Sequence, residues 1–149
     1  MNASPLIRPL RAPDEADWRA LWRAYLAFYE TELPDSVYAN TFARLLGDGP
    51  DEPRGLIAEV EGRPVGLVHF LFHAHCWKPQ GVCYLQDLYA APHVRGTGVG
   101  RALIEAVYAA ADTAGVESIY WMTQEFNHEA RRLYDRIGLK TPFIKYVRA

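Results

Sequence analysis

The segment LQDLYAAPHVRGTGVGRALIEA, residues 85–106, runs a strand-like stretch into a glycine-rich turn and then into a helical stripe. Gly96, Gly98 and Gly100 remove side chains where backbone amides could approach an anion, and the dipole of the following helix adds partial positive charge there. The chemistry this suggests is phosphate binding. A Walker loop would end in Gly-Lys followed by Ser or Thr, which is missing. A dinucleotide fingerprint begun at Gly96 would need glycine at 101, where Arg101 stands. Both of these nucleotide readings fail.

Other residue types invite other chemistries. His69, His73 and His75 are followed by Cys76, and strict strand alternation would put the three imidazoles on one face. At ~3.3 Å per residue they would span roughly 20 Å, too far for one ion, so no metal is expected, and one or two of them are placed along an acceptor cleft. Cys76 and Cys83 lie seven positions apart without a CxxC pair, which indicates neither a disulfide framework nor a zinc ribbon. Nor does either cysteine carry a sign of an acyl-enzyme role. The stretch YETELPDS gathers Tyr29, Glu30, Glu32 and Asp35, carboxylates that could draw in a cationic amine or simply be solvated.

With its neighbours, the glycine turn resembles the signature of the GNAT family of N-acetyltransferases: Arg or Gln, two residues of any type, Gly, any residue, then Gly or Ala. Here it reads Arg95, Gly96, Thr97, Gly98, Val99, Gly100. Downstream, NHEARRLYDRIGL resembles the family's Asn-x-x-Ala-x-x-Leu-Tyr-x-x-x-Gly-Phe segment, with Asn127, Ala130, Leu133, Tyr134 and Gly138 in place and Leu139 for the aromatic. The resemblance implies acetyl-CoA as cosubstrate, with its pyrophosphate on the amides from Gly96 to Arg101 and its pantetheine arm pairing along Leu88, Tyr89 and Ala90. It also sets Asn127 and Ala130 beside the cofactor, and splays the strand holding Leu88 from the later strand ESIYWMT to leave a cleft for the thioester.

The same resemblance assigns roles. Tyr134 matches the family tyrosine near the cofactor sulfur, and a phenol of pKa about 10 can return a proton to a thiolate of pKa about 8.5. LQDLYA is similar to the Leu-Glu-Asp strand of the spermidine and thialysine acetyltransferase branch, with Gln86 for the glutamate and Asp87 retained. A glutamine cannot take a proton, so amine deprotonation would pass to Asp87, a histidine or solvent. Alternation sets 86 and 87 on opposite strand faces. Tyr29, Glu30, Glu32 and Gln86 are the candidate acceptor-binding residues, and Tyr134 and Asp87 the candidate catalytic ones. The expected reaction is direct acetyl transfer in a ternary complex to a primary amine of a small molecule, polyamine-like or amino-acid-like. The alternatives are a protein lysine or N-terminal acetyltransferase, histone-like substrates included, and a CoA-binding module without turnover.

The elements that must position these groups follow from periodicity. Leu6–Leu10 reads as an edge strand. Pro13, Asp14, Glu15 and Asp17 start a helix carrying Trp18, Leu21, Trp22, Tyr25, Leu26 and Tyr29, which Pro34 stops. A second helix covers about 36–46. LIAEV and PVGLVHFLF form a hairpin about Glu61-Gly62-Arg63, and KPQG turns the chain into VCYLQDLYA. Val99 to Ala110 is an apolar helical stripe with an Arg101–Glu105 pair outside. Asn127 caps the last helix and Gly138 closes it in a left-handed conformation. PFIKYV makes a final edge strand able to pair with a second subunit, hence an expected homodimer. The order β-α-α-β-β-β-α-β-α-β describes an α/β layered sheet with antiparallel hairpins and crossover helices, and the resemblance implies the GNAT fold, a mixed, mostly antiparallel sheet flanked by helices.

At 149 residues, with 50% hydrophobic and 23% charged side chains, the chain suits a single domain spanning 1–149. No stretch is apolar enough for a membrane span or a signal peptide, so a cytoplasmic protein is expected. The net charge of −2 argues against nucleic-acid binding. Residues 1–52 carry five basic and nine acidic side chains and residues 128–149 six and two, which suits a cationic substrate in front and an anionic cofactor behind.

Overall fold

In the computed structural model, which describes residues 4–149, β1 (Leu6–Pro9) is followed by α1 (Glu15–Phe28), α2 (Asp35–Leu45) and β2 (Arg54–Val60). Then come β3 (Arg63–His75), β4 (Lys78–Ala90), α3 (Val99–Thr113), β5 (Ile119–Tyr120) and α4 (His128–Ile137). The five strands form an open sheet in sequence order, antiparallel from β1 to β4 and parallel between β4 and β5. A parallel pair needs a crossover, and α3 supplies it. This is the mixed, helix-flanked sheet expected from the order of elements. Among the described residues no helix is long and apolar enough to cross a membrane.

Each face of the sheet carries its own core. On one, Trp18, Trp22 and Leu26 of α1 and Phe42 of α2 cover Ile57 and Leu67, with the Trp18 and Trp22 rings stacked at 5.1 Å. On the other, the stripe Val99, Leu103, Ile104 and Val107 of α3 covers Val68 and Phe70, and α4 leans on this core through Leu133 and Ile137. Arg101 pairs with Glu105 on the outer face of α3 at 2.8 Å, as its i,i+4 spacing requires.

A buried ion pair sets where α1 begins. Arg8 on β1 donates to both carboxylate oxygens of Asp14 at 2.7 and 2.9 Å and also pairs with Glu59 on β2. The Arg11 amide donates to the same Asp14. The start of α1 is thereby tied to two strands, which fixes the phase of its aromatic face over the sheet.

Several local expectations are corrected. Lys78–Gly81 belongs to β4, and the hairpin turns instead at Cys76–Trp77. Gly81 is needed there at φ +78, because a Cβ would lie 2.6 Å from the His73 carbonyl oxygen in the irregular register between His73 and His75. ESIYWMT contributes only Ile119–Tyr120 as strand. PFIKYV forms no strand: Phe143, Ile144, Tyr146 and Val147 are exposed, and no sheet edge meets them to supply ladder hydrogen bonds. Gly138 is extended (φ −141), not left-handed; glycine is required because a Cβ would come within 2.8 Å of the Trp121 ring.

The Arg8 pair carries a pH dependence. Its hydrogen bond holds the Asp14 carboxyl below the usual carboxylate range, against the opposing effect of burial. A carboxyl with a depressed folded-state pKa stabilises the protein above its unfolded value of about 3.9, and that stabilisation is lost as pH falls through the folded value. Urea midpoints should therefore drop on acidification below about pH 4, and Asp14→Asn should cost about 1 to 3 kcal/mol at neutral pH with a shallower acid limb.

Candidate active site

β4 and β5 stay together only at Cys83–Ile119 and Tyr84–Tyr120. Beyond Tyr84 they part, and among the described residues the far edge of β4 from Leu85 to Ala90 has no strand beside it, while its near edge pairs with β3 at Val68, Leu67 and Gly66. The resulting gap opens the sheet from one face to the other. Tyr25 of α1 and Tyr29 just after it approach the gap from one side and Tyr134 of α4 from the other, with Gln86, Trp121 and Met122 on its walls. Trp121 meets Tyr134 edge to face, with centroids 5.6 Å apart.

The phenols are held protonated. Burial, with Tyr29 close by, pushes Tyr134 up to about 12. Burial first, and then the Asp87 charge, raise Tyr25 and Tyr29 as well.

A second correction concerns β4 itself. Asp87 pairs with His69 while Leu85 pairs with Phe70, so Gln86 has no partner in the ladder and the strand carries a bulge. Simple alternation therefore does not separate 86 from 87. Gln86 lines the gap, and Asp87 turns beneath α1, where Trp22 Nε1–H (3.2 Å) and His69 Nδ1–H (2.8 Å) donate to its Oδ2. Trp18 Nε1–H donates to His69 Nε2 at 2.9 Å, which assigns the imidazole proton to Nδ1.

The three histidines thus separate. His69 is buried, His73 bonds to the Tyr120 hydroxyl, and His75 accepts from the Trp77 amide. Among the described residues no group of three or more His, Cys, Asp or Glu side chains gathers to hold a metal.

The glycine turn fits a phosphate-bearing cosubstrate. Gly96 and Gly98 have φ of +79 and +95 with open space where a Cβ would stand. The first helical amide with a partner is that of Ala102, to the Gly98 carbonyl, so the N–H groups of Val99, Gly100 and Arg101 at the start of α3 point outward. Gly100 lies against Leu133 of α4, 3.3 Å from where its Cβ would be, so α3 and α4 pack closely. Arg95 Nε holds the Ala90 carbonyl at 3.1 Å with its guanidinium over Tyr89, and Thr97 caps the Val94 carbonyl, so both shape the loop from within. Asn127 caps α4 by accepting from the Ala130 amide at 3.4 Å. Leu88, Tyr89 and Ala90 present the free β4 edge.

The acidic junction stands apart from this gap. Asp35 pairs with Arg19, and Glu30 and Glu32 are exposed and do not line the opening. Cys76 is exposed, and burial pushes the Cys83 thiol up to about 11, so no activated thiol faces the gap. Sequence reasoning missed Trp22, Tyr25 and Trp121 as parts of the site, and named His69 only as one of three histidines of which one or two would line an acceptor cleft. The i, i+3 spacing of Trp22 and Tyr25 was a signal, but it is equally the signature of a core-facing helix.

Residues 18–139 match the Acetyltransferase (GNAT) family. The chain is 36% identical over 149 residues to the D-amino-acid N-acetyltransferase HPA3 of Saccharomyces cerevisiae, covering 99% of this chain and 92% of the relative. It is 32% identical over 124 residues to a thialysine N-epsilon-acetyltransferase of Bos taurus, covering 76% and 71%. Its fold superposes with a TM-score of 0.85 on the aminoglycoside acetyltransferase AAC(6')-Iy in complex with a CoA bisubstrate analogue, at 18% identity and 99% coverage of both chains.

For the loop, acetyl-CoA well above its dissociation constant should raise the melting temperature. Gly98→Asp should abolish that rise, measured against its own ligand-free value, because a carboxylate would occupy the anion site. No shift in the natural protein at millimolar cosubstrate would remove this assignment.

Proposed function

The chain belongs to the GNAT acetyltransferase family, and we propose that it transfers the acetyl group of acetyl-CoA directly to the primary amine of a small molecule, amino-acid-like or polyamine-like. The observation that carries this reading is the phenol-lined gap between β4 and β5, where proton-bearing groups from both faces of the sheet meet beside the free strand edge. The names of relatives that act on D-amino acids and on thialysine support the same acceptor class.

When bound, acetyl-CoA supplies an activated thioester. The turn from Gly96 through Arg101 holds its phosphates, and the β4 edge from Leu88 to Ala90 aligns its arm. Tyr134, protonated across the working pH range, is the proton donor to the leaving thiolate. Gln86 offers the acceptor an amide to hydrogen-bond but no basicity. Asp87 is the carboxylate available for the amine proton. With the Cys83 thiol buried and protonated, direct attack is favoured over an acyl-enzyme.

Thiol release measured against amino acids, diamines and basic peptides tests the acceptor class; preference for peptides would point instead to a protein acetyltransferase. Tyr134→Phe should lower kcat by on the order of 10- to 1000-fold with little change in acetyl-CoA affinity. Unchanged turnover would make the tyrosine a packing residue.

We also propose that the protein works in the cytoplasm as a homodimer. The exposed apolar tail with Leu139, Phe143, Ile144, Tyr146 and Val147 supports a second copy as the surface that covers it. Light scattering at tens of micromolar, on the order of ordinary dimer working concentrations, should return twice the monomer mass, and a strictly monomeric mass would remove the idea.

A further inference from the structure

The acceptor arrives as an ammonium and must lose a proton before it can attack, a step that rests on the acetyltransferase reading above. Few groups at the gap can take that proton. Gln86 has no basicity, Tyr134 is required in its protonated form, and Glu30 and Glu32 do not line the opening. His73 is engaged by Tyr120 and Ala74. Asp87 remains, yet its side chain is only 14% exposed and is not itself a wall of the gap.

We propose that Tyr25 is the catalytic residue that passes the ammonium proton to Asp87, and that His69 is a positioning residue that holds Asp87 in place to receive it. Tyr25 is one helical turn beyond Trp22 on the same face of α1, and Trp22 donates to Asp87 while Tyr25 lines the gap. Trp22 and His69 both donate to Oδ2, so among the described residues Oδ1 has no hydrogen-bonding partner and is open to the Tyr25 hydroxyl. The closeness of phenol and carboxylate is also felt in Tyr25's raised pKa, where the Asp87 charge adds to the larger effect of burial.

In the step itself, an N–H bond of the ammonium breaks as its proton moves to the Tyr25 oxygen, while Tyr25's own proton moves to Asp87. The nitrogen keeps the electron pair with which it attacks, and Asp87 returns the proton to solvent after product leaves. His69 is not the acceptor. Its Nε2 lone pair is occupied by the Trp18 N–H and its Nδ1–H points at Asp87, so it can orient the carboxylate without taking its proton. The other titratable groups that feel the Asp87 charge are Tyr29, just after α1, and Tyr84 on β4, and Tyr134 of α4 stands across the gap, all phenols that are uncharged at neutral pH.

The test compares Tyr25→Phe with the natural protein on a strongly and a weakly basic acceptor across pH. At about pH 7, with an amine of pKa about 10, Tyr25→Phe should lose about 100-fold in kcat/KM. The loss should shrink to within about fivefold at about pH 9.5, or with an amine of pKa about 7, because the neutral fraction of the acceptor then rises from about a thousandth to about a quarter or a half. Tyr134 stays protonated in both conditions, so the comparison isolates the amine. A structural role would give the same loss with every amine and at every pH, and that result, or no loss, overturns the relay while leaving the acetyltransferase reading intact. A natural protein that acetylates no amine overturns both.

Two amide substitutions test His69 with melting temperatures in hand. His69→Asn retains an N–H where Nδ1–H stands and should keep the pH profile of the natural protein. His69→Gln can serve Trp18 but not Asp87, and should reproduce the amine-dependent loss of Tyr25→Phe. The reverse order of the two variants, or equal uniform losses, would make His69 a support for Trp18 and overturn its positioning role.

Discussion

β4 departs from regular pairing on both of its edges within a few residues, and the chemistry is organised around that departure. Toward β3, the two residues Gln86 and Asp87 occupy the space of one, so Asp87 turns under α1 to meet His69 while Gln86 stays at the opening. Toward β5, hydrogen bonding stops after Tyr84. A bulge bends and twists its strand, and a strand that bends away from its neighbour cannot keep the ladder closed. The same irregularity therefore places the carboxylate and opens the gap into which Tyr134 reaches.

Such an arrangement is costly unless every polar group within it is matched. Trp18 and His69 are almost wholly enclosed, and among the described residues no buried side-chain nitrogen or oxygen lacks a partner. The chain of donors from Trp18 to His69 to Asp87 meets that requirement with one direction of hydrogen bonding throughout, which specifies one imidazole tautomer and one carboxylate orientation. α1 consequently serves two ends. Its tryptophans fill the core, and their indole N–H groups, which would be a liability there, hold the polar chain. The Arg8–Asp14–Glu59 cluster matters at a distance for the same reason, since rotation of α1 would break these bonds together.

The other side of the gap is built with fewer enclosed contacts. α4 has no fully buried residue, and its seat depends on close approaches at two glycines: Gly100 beneath Leu133, and Gly138 against the Trp121 ring. Close backbone contact substitutes for buried bulk. Tyr134 lies between those two contacts, so its position follows from Gly100 of α3 and from Gly138 just after α4 together with the half-buried Leu133 and Ile137 beside it.

The order of strands and helices as far as α4, the helix-flanked sheet and the glycine-rich turn into α3 were legible in the sequence, because they follow from periodicity, capping residues and glycine placement acting over a few neighbouring positions. Arg95 to Gly100 and Asn127 to Gly138 identified the family for the same local reason. What only the tertiary structure decided was long-range. A bulge at Gln86 breaks the alternation that any reading of β4 must assume, Gly138 is required by a ring seventeen positions away rather than by its own φ, and PFIKYV has strand-forming residues without a strand to pair with. Trp18, Trp22 and Tyr25 read only as a core stripe, since helical spacing reports which face is buried but not what polar group waits beneath it. Which hydrogen-bond partner completes a buried indole or imidazole depends on where β3 and β4 cross under α1, and that is settled by packing of the whole sheet.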